Sequence, residues 1–328
     1  MRPQIFIPPG PAELLRRLEE AGFEAYVVGG CVRDSLRGSP ASDWDLCTRA
    51  RPEETTACFA GLRVVPTGVK HGTVTVVLDG VGYEVTTYRT EGGYSDHRHP
   101  DAVAFVRSIE EDLSRRDFTV NAMAYHPVRG LCDPFEGRRD LRRRVIRCVG
   151  EAQKRFDEDA LRILRALRFA SQLDFAVEER TAEAVRSMAP SLRSLPGERV
   201  GAELKQLLCG QGAGRVLLEF WPVFCEIIPA LAPLAGAAQD NPHHCYCMDR
   251  HTAEAVNAAP AIAVVRLCML FHDIAKPLCR TTDVRGIGHY KGHPALSAQM
   301  AADALHALRF DRSTIARTCL LIRYHDER

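Results

Sequence analysis

The spacing of hydrophobic residues along the chain changes near residue 150. Before that point short apolar runs alternate with turn residues: AYVVGG ends in paired glycines, and TVTVVL and GYEVTTY flank Asp79-Gly80, a favoured hairpin turn. After it, apolar residues recur at helical spacing almost without a break, as in FDEDALRILRALRFASQL. The pattern predicts an α+β head followed by an all-α body.

We expect three segments in the 328 residues, because a single hydrophobic core stops growing near ~250–300 residues. A head covers 1–150, a helical neck covers 151–238 and a helical body covers 239–328. The polar stretch QDNP at 239–242 marks the second boundary. The chain ends in LLIRYHDER, within or just after a helix that has no capping signal.

The composition indicates an ordinary globular protein, with 46% hydrophobic and 26% charged residues. No apolar run approaches the ~18–20 residues of a membrane span, and the N-terminal MRPQIFIPPGP has no signal-peptide core. The twelve cysteines are scattered through apolar patterns, which favours free thiols in a reducing compartment. We therefore expect a cytoplasmic protein with no membrane partner.

The net charge of +1 gives no global sign of a nucleic-acid partner, although an electrostatic footprint can be local. One stretch of ten residues is dense in arginine and contains Arg138, Arg139, Arg142, Arg143, Arg144 and Arg147. Such a run is typical either of a solvated helix face or of a phosphate-binding surface, and the sequence leaves both open.

Two aspartates, Asp43 and Asp45, are the strongest chemical signal in the head. On a strand their side chains share one face, while Trp44 and Leu46 take the apolar face. Adjacent like charges are costly unless a cation binds between them, and oxygen ligands on a rigid strand suit Mg²⁺. Glu84, on another predicted strand, is able to complete the site. Alone, a D-x-D pair is more often an exposed strand edge or turn.

A glycine-rich turn lies just upstream of these aspartates. Gly29 and Gly30 lead from a predicted strand into a helix that carries Arg33. Glycines let backbone N–H groups approach phosphate oxygens, and an arginine offers a fork for phosphate. By itself the segment is equally a tight strand-to-helix turn. Together with D-x-D and a strand glutamate, it predicts a triphosphate site beside two metals.

With these motifs the chain resembles the polymerase-beta-like nucleotidyltransferases, in particular the bacterial class II tRNA nucleotidyltransferases and poly(A) polymerases. The resemblance covers almost the whole chain. GGCVRDSLRG with SDWDL is similar to the catalytic motif of the family, RRDFTVNAMAY to its ribose-binding motif and DPFEGRRDL to its hinge. FDEDALRILRALRFA is similar to its base-selecting helix, and PGERVGAELKQLL to the helix that supports it. The implied fold is a mixed sheet with flanking helices, followed by a helical neck and an HD-type helical body.

The resemblance implies a two-metal enzyme that joins CMP and AMP, from CTP and ATP, to the 3′ end of tRNA. Asp43 and Asp45 would bind both Mg²⁺ ions, and Glu84 would help to hold one of them. The implied nucleotide-binding residues are Gly29, Gly30, Arg33, Arg116, Asp117, Asn121, Asp159, Arg162 and Arg165. Asp117 and Asn121, four residues apart, are expected to share one helix face.

Base selection without a template has a simple chemical explanation. Asp159 and Arg162 are three residues apart and are expected to be neighbours on one helix. A carboxylate acceptor beside a guanidinium donor matches the amine and ring nitrogen of cytosine and adenine, and it mismatches uracil and guanine. Alone, such a pair is more often a surface ion pair.

Poly(A) polymerase, which adds only A, is the alternative within the family. TGVKHGTVTVV at 67–77 resembles the tRNA-enzyme version of that segment. The stretch 88–106 resembles an intact flexible loop, which the family needs for the final A. Both features favour CCA addition. The resemblance also leads us to expect that the chain stops short of further tail helices that hold the tRNA elbow.

The helical body carries a second signal, His272-Asp273 in LFHDIAKP. With His251 before it and Asp326 late in the chain, it matches the H…HD…D order of HD-domain metal phosphohydrolases, and His289 and His293 are further possible ligands. Such side chains from several helices are able to hold a second divalent metal. The alternatives are an HD-domain phosphohydrolase with an RNA-binding head, or an HD fold that serves only as a scaffold for tRNA.

Cys245 and Cys247, beside His243 and His244, suggest zinc only weakly, because no second ligand pair follows.

Overall fold

The structure, a computed structural model, describes residues 4–92, 102–239, 245–284 and 286–327. The chain forms two compact units, Met1–Asp159 and Ala160–Arg328. The α+β class of the first unit and the helical character of the second confirm the predicted fold class. The predicted boundaries at residues 150 and 238 stay predictions. Among the described residues, no helix is both long enough and apolar enough to cross a membrane.

The first unit is built on a mixed sheet. Its strands are β1 Ala25–Val28, β2 Asp45–Thr48, β3 Arg63–Gly68, β4 Thr73–Leu78, β5 Val81–Thr87, β6 Arg89–Gly92, β7 Ala102–Phe105, β8 Ala124–His126, β9 Gly130–Cys132 and β10 Val145–Ile146. Its helices are α1 Pro9–Glu20, α2 Gly30–Leu36, α3 Pro52–Cys58, α4 Ile109–Ser114, α5 Gly137–Arg143 and α6 Ala152–Glu158.

Seven strands form the main sheet in the order β3-β4-β5-β2-β1-β8-β9. The β2–β5 pair is parallel, and the other neighbours in this sheet are antiparallel. β1 and β2 lie at the centre and are largely buried, with Val27 and Leu46 fully buried. The central strands therefore provide a rigid base on which polar residues at the strand ends are held.

The predicted hairpin between β4 and β5 is confirmed. Asp79 and Gly80 both have positive φ, at 52° and 79°. Two such residues make the turn that matches the twist of antiparallel strands. The register that follows pairs Thr75 with Glu84 and places Glu84 on β5 beside β2.

The second unit consists mainly of helices. They are α7 Leu161–Leu173, α8 Glu179–Met188, α9 Gly197–Leu208, α10 Ala213–Glu219, α11 Trp221–Ile227, α12 Met248–Ala258, α13 Ala263–Phe271, α14 Lys276–Cys279, α15 His293–Ala307 and α16 Arg312–Arg323. Three short strands accompany them, β11 Ala176–Val177, β12 Thr281–Thr282 and β13 Gly288–His289. Apolar faces of these helices form the core, where Phe220, Phe224 and Phe271 are fully buried.

Candidate nucleotide-binding and metal sites

Three carboxylates lie at one end of the neighbouring strands β2 and β5. β2 begins at Asp45, and its pairing with β5 starts one residue after both Asp45 and Glu84. Asp43, Asp45 and Glu84 are exposed, whereas Trp44 and Leu46 are buried. The predicted alternation of exposed acids and buried apolar residues is therefore present.

Asp43 lies just before β2, and the prediction that it belongs to the strand is wrong. Val28, the last residue of β1, pairs with Asp45. The chain then turns at Gly29 into α2, so β1 has no residue left to pair with Asp43. On the other side, β5 pairs with β2 only from Leu46 onward. Asp43 therefore has no paired strand neighbour and lies in the connection that leads into β2.

The pKa of the Asp45 carboxyl is raised to about 6. Desolvation by the surrounding protein is the main cause, and the negative charges of Glu84 and Asp43 add to it, while Arg116 opposes them. Carboxylates that repel one another in this way are stabilised when a cation binds among them. Because carboxylate oxygens are the ligands that Mg²⁺ prefers, this set of donors fits a magnesium site.

The three acids do not converge on a single point. Within the described residues, the groups of three ligand atoms that lie within 4.8 Å of one another both belong to the helical unit. Asp43, Asp45 and Glu84 do not form such a group. They are electrostatic neighbours rather than a closed triad.

A hydrogen-bond network occupies the same end of the sheet. Nη1 of Arg33 donates to Oδ1 of Asn121 at 2.7 Å, while Nε and Nη2 of Arg33 donate to Asp34 at 2.9 and 2.8 Å. Nδ2 of Asn121 donates to Oδ1 of Asp117 at 3.3 Å. The structure thus joins three of the predicted nucleotide-binding residues, and Asp117 and Asn121 are each only 8% exposed.

Arg116 lies beside the glycine turn. Gly29 has φ +82°, and a Cβ there would lie 3.3 Å from Nη1 of Arg116. Nη2 of Arg116 donates to Oδ2 of Asp112 at 3.3 Å, and Arg115 donates to the same buried carboxylate at 2.9 Å. Burial lowers the pKa of Arg116, but Asp112 outweighs it and the pKa is raised. A fixed positive charge therefore borders the turn.

The helix predicted for RRDFTVNA is wrong. The segment forms only a 3-10 turn, Thr119–Asn121. Its backbone groups pair with another part of the chain, because the N–H of Thr119 donates to the carbonyl oxygen of Arg147 at 2.9 Å and the N–H of Val149 donates to that of Asp117 at 3.0 Å. The side chains of Asp117 and Asn121 meet even so, across the turn rather than along a helix face.

The predicted base-selecting helix is interrupted. α6 ends at Glu158, Asp159 has an extended backbone with φ −146° and ψ 106°, and α7 begins at Leu161. Asp159 and Arg162 therefore do not share one helix, contrary to the prediction. Acidic side chains are unfavourable at a helix C-terminus and favourable before an N-terminus, so the Asp-Glu-Asp run ends one helix and precedes the next.

Arg162 and Arg165 lie almost one turn apart on α7, and both are half-buried. The guanidinium of Arg165 is 5.6 Å from the ring centre of Phe169. One turn later, Nε of Arg168 donates to Glu203 of α9 at 2.6 Å in a buried ion pair. α9 therefore braces the helix that carries the predicted base-selecting arginines.

The arginine-rich segment lies on α5 and the turn that follows it. Arg139 pairs with Glu136 at 2.9 Å, and Arg147 pairs with the buried Asp140 at 2.8 Å. Arg142 and Arg143 are exposed. Part of the arginine-rich segment therefore stabilises the head itself. The exposed Arg142 and Arg143 are compatible with either predicted role, a solvated helix face or a phosphate-binding surface.

Four histidines and one aspartate meet in the helical unit. Oδ2 of Asp273 lies 3.3 Å from Nε2 of His251 and 3.2 Å from Nε2 of His272. Oδ1 of Asp273 lies 3.2 Å from Nε2 of His293 and 3.6 Å from Nε2 of His325. Each carboxylate oxygen thus joins two imidazoles, and each set has the spacing of a metal-ligand group. We call these five residues the histidine cluster.

Three imidazoles of the histidine cluster are oriented by hydrogen bonds to the backbone. Nδ1 of His272, His293 and His325 lies 2.8, 2.8 and 2.7 Å from a backbone carbonyl oxygen, so that Nε2 points toward Asp273. Such hydrogen bonds are typical of histidines that ligate metals. Burial raises the pKa of Asp273, but the imidazoles hold it well below its usual range. The buried Lys276 also contacts Oδ2 of Asp273, at 2.8 Å.

Of the residues predicted for this site, Asp326 lies at the edge. It is 61% exposed and lies 3.4 Å from Nε2 of His325 and 3.5 Å from Nε2 of His293. The sequence interpretation missed His325, although the dipeptide His325-Asp326 repeats His272-Asp273. His289 is not in the cluster, because it pairs with Asp283 at 3.2 Å on the surface.

Some predictions lie partly or wholly outside the described residues. They concern the loop at 93–101, the boundary residues 240–242, and His243 and His244. Among the described residues, neither Cys245 nor Cys247 belongs to a group of potential metal ligands.

Two family models match the chain. One, described as the poly A polymerase head domain, matches residues 25–147, and one described as a probable RNA- and SrmB-binding site of polymerase A matches residues 174–222. The first contains the head carboxylates and the network of Arg33 and Asn121. The region between the two matches, residues 148–173, includes α6 and the whole of α7.

Named relatives and solved structures agree with these matches. The CCA-adding enzyme of Limosilactobacillus reuteri is 48% identical over 218 residues, which are 66% of this chain and 53% of the relative. A crystal structure of the Bacillus stearothermophilus CCA-adding enzyme in complex with CTP is 33% identical, with a TM-score of 0.68 over 96% of this chain and 70% of that chain. The chain belongs to the family of CCA-adding enzymes. A structure of a tRNA-processing enzyme in an apo form is 25% identical, with a TM-score of 0.66 over 98% of this chain and 80% of that chain.

The chain spans about half the length of the curated CCA-adding enzymes that it matches. Within this member of the family, the residues of the histidine cluster, from His251 to His325, lie outside both matched family models. The head-domain match therefore contains the carboxylates, and the histidine cluster is interpreted separately.

Proposed function

We propose that this chain is a template-independent tRNA nucleotidyltransferase that adds CMP and AMP, from CTP and ATP, to the tRNA 3′ end. The observation that carries the proposal is the adjacency of Asp45 on β2 and Glu84 on β5, whose charges repel each other. Membership of the CCA-adding enzyme family supports the same reaction. We further propose the cytoplasm as its place of action, since all twelve cysteines are free thiols.

Mg²⁺ ions held by Asp43, Asp45 and Glu84 would neutralise phosphate charge and lower the pKa of the attacking 3′ hydroxyl. The other residues position the substrate. Arg33 would bring positive charge to the triphosphate, and Asp34 and Asn121 together orient its guanidinium. Arg116 adds positive charge beside the turn at Gly29, where the missing side chain leaves room.

The ribose and the base are assigned to separate groups. Asp117 accepts hydrogen bonds and Asn121 both donates and accepts them, so the pair suits sugar hydroxyls. Asp159 and Arg162, three residues apart in the chain, supply the acceptor and the donor that cytosine and adenine need. Arg165, almost one turn further on α7, is proposed as an additional nucleotide contact.

The test is to incubate the protein with Mg²⁺, CTP, ATP and a tRNA that lacks its 3′ CCA, and to sequence the products. Successive C, C and A residues support the proposal. Addition of A alone to any RNA identifies a poly(A) polymerase instead. Absence of incorporation in Mg²⁺, while the protein remains folded and binds the tRNA, contradicts both.

A second candidate function is metal-dependent phosphoester hydrolysis by the helical unit. It is favoured by the histidine cluster, in which Asp273 bridges two pairs of imidazoles. Imidazole and carboxylate ligands of this kind hold transition metals that activate water. Lys276, buried beside Asp273, would supply positive charge to a phosphate that binds there.

Hydrolysis of p-nitrophenyl phosphate and bis-(p-nitrophenyl) phosphate, measured with Mn²⁺, Ni²⁺ or Co²⁺, tests this second function. We expect turnover that His272→Ala abolishes and that Asp43→Ala leaves unchanged. If the histidine cluster binds metal but neither phosphoester is hydrolysed, the cluster is a structural metal site and the hydrolase function is excluded.

A further inference from the structure

The first unit has a cleft of about 470 Å³ that the proposed transfer reaction does not use. Three arginines, two phenylalanines and one glutamate line it: Arg49, Arg51, Arg107, Phe23, Phe105 and Glu54. We propose that this cleft binds a nucleoside phosphate, with the arginines on the phosphate and the phenylalanines against the base. The proposal is independent of the proposed transfer function.

The cleft is separate from the carboxylate site. β1 and β2 pair with Ala25 opposite Thr48 at one end and Val28 opposite Asp45 at the other. Phe23 lies two residues before Ala25, and Arg49 directly follows Thr48, the last residue of β2. The strands between the two ends span three residue steps, roughly 10 Å at the rise of a β-strand. A ligand in the cleft therefore does not occupy the site of the incoming nucleotide.

The arginines of the cleft are available to an anion. In the described part of the chain, none of the three guanidinium groups forms a salt bridge, and Arg49, Arg51 and Arg107 are all exposed. Nη2 of Arg49 donates to the carbonyl oxygen of Gly22 at 3.1 Å, which orients the group and leaves its other donors for a ligand. Planar guanidinium groups recognise phosphate by paired hydrogen bonds.

The single acid of the cleft is partly engaged. The Glu54 carboxylate accepts from the backbone N–H of Arg51 at 2.8 Å. Three positive side chains and one negative side chain leave the lining with a net charge of +2. An anionic ligand is therefore favoured over a cation or a neutral apolar molecule.

Phe105 lies at the wall of the cleft, where its backbone and its ring both have partners. Its backbone pairs with Arg89 in the β6–β7 hairpin. Its ring packs on Gly72, where φ is +77° and a Cβ would lie only 2.7 Å from Cε1 of Phe105. The side chain is nevertheless 40% exposed. A ring that packs on one neighbour and stays partly exposed is suited to stacking against a base, because every base has a π-face.

These features together define the ligand class. Phosphate alone would not use the aromatic wall, and an apolar ligand would leave the guanidinium groups without a counter-charge. The volume lies within the ~300–1,000 Å³ range of small-ligand sites. A nucleotide within an RNA strand and a free nucleotide share this chemistry, and the experiment distinguishes them.

Binding of a 5′-phosphorylated, single-stranded hexanucleotide with a 3′ fluorescein, which blocks its 3′ hydroxyl, is measured by anisotropy over a range of KCl concentrations. CTP binding is measured by calorimetry on the same full-length chain. The test variants are the double variant Arg51→Glu/Arg107→Glu and the single variants Phe105→Ala and Phe105→Tyr. Arg63→Glu is the matched control, because Arg63 is exposed on β3, outside the cleft.

If the ligand is RNA, the double variant weakens hexanucleotide binding by about tenfold or more. It also makes the slope of log K against log [KCl] less steep, by the equivalent of about one or two phosphate contacts. Phe105→Ala weakens it by about tenfold and Phe105→Tyr restores it. If the ligand is a free nucleotide, the same variants remove a second CTP site and leave the first one intact. Both results support the cleft as a nucleotide site. Binding of both probes that stays within twofold of Arg63→Glu overturns the proposal.

Discussion

The guanidinium of Arg33 is fixed by the carboxamide of Asn121, which lies 88 residues later in the chain: Nη1 donates to Oδ1 at 2.7 Å. The amide nitrogen of the same side chain donates to Asp117 at 3.3 Å. One buried amide therefore links a proposed triphosphate-binding residue, which Asp34 also holds, to a proposed ribose-binding residue. Loss of that amide would disturb the positions of Arg33 and Asp117 without removing either side chain.

Asn121→Ala is expected to raise the KM for CTP and for ATP by about tenfold, because a hydrogen bond to a charged group contributes about 1.5–3 kcal/mol. Steady-state incorporation on a tRNA acceptor measures the change. Asn121→Asp keeps the acceptor for Arg33 but places a second carboxylate beside Asp117, and it should not rescue the defect. A KM for both nucleotides that is unchanged in Asn121→Ala would show that Arg33 needs no such positioning.

The two glycines of the turn should respond differently to substitution. Gly29→Ala places a Cβ on a residue with φ +82°, 3.3 Å from Nη1 of Arg116, whereas a Cβ at Gly30 has as its nearest neighbour Nη2 of Arg33 at 3.7 Å. We expect Gly29→Ala to lower the free energy of unfolding by about 1–3 kcal/mol. Gly30→Ala, at the first position of α2, should change it by less than about 1 kcal/mol.

Urea unfolding followed by the fluorescence of the buried Trp44, in a Trp221→Phe background, reports on the first unit alone. Equal destabilisation by the two alanines would contradict the role of the positive φ at Gly29.

Several of these features follow from local sequence. The Asp79-Gly80 hairpin is set by two adjacent residues, and the alternation of Asp43, Trp44 and Asp45 follows from the two-residue period of extended chain. The helix predicted through Asp117 failed because its backbone pairs with residues 147–149, a partner that local periodicity does not reveal.

Long-range contacts also explain what was missed in the body. His325, in the turn after α16, meets Asp273 although it lies 52 positions later in the chain, and only the packing of helices brings them together. The interruption at Asp159 had a local signal, the run of three acids, which the apolar periodicity of the surrounding segment masked. Periodicity thus located the elements, and the contacts between them decided the site.

The buried His126 should make the head sensitive to acid. Burial lowers the pKa of its imidazole, and Arg129 lowers it further while Glu19 opposes them. Nδ1 of His126 accepts from the N–H groups of Val128 and Arg129 at 3.1 and 3.2 Å, which requires that nitrogen to be unprotonated.

Since the folded pKa lies below the unfolded value of about 6.5, the unfolded chain binds the proton more readily. The stabilisation that unprotonated His126 gives the folded head is present above about pH 6.5, and it is lost as the pH falls through the folded pKa. Thermal unfolding of the wild type and of His126→Asn between pH 8 and pH 5 measures this. We expect the Tm of the wild type to fall more steeply with decreasing pH than the Tm of His126→Asn. Parallel plots of Tm against pH would contradict this role of His126.

Base choice should depend on Arg162. Arg162→Ala removes the proposed donor, and we expect C-over-U discrimination to fall by about 10–100-fold, since one base contact contributes about 1–3 kcal/mol. The ratio of kcat/KM for CTP and UTP on the same acceptor measures it. Arg180→Ala, at an exposed position of α8, is the control. A rate loss equal for CTP and UTP would assign Arg162 to general binding rather than to base selection.

In the proposed reaction, the carboxylates at the ends of β2 and β5 bind the metal ions of nucleotide transfer. The most direct measurement is CMP incorporation by Asp45→Asn in Mg²⁺, alongside Glu53→Ala as an exposed acidic control on α3 and with tRNA binding measured in parallel. We predict a loss of at least about 10³-fold, on the scale of removing a key electrostatic contact to the transition state, while tRNA binding and Glu53→Ala remain near the wild type. Incorporation by Asp45→Asn within tenfold of the wild type would contradict the claim.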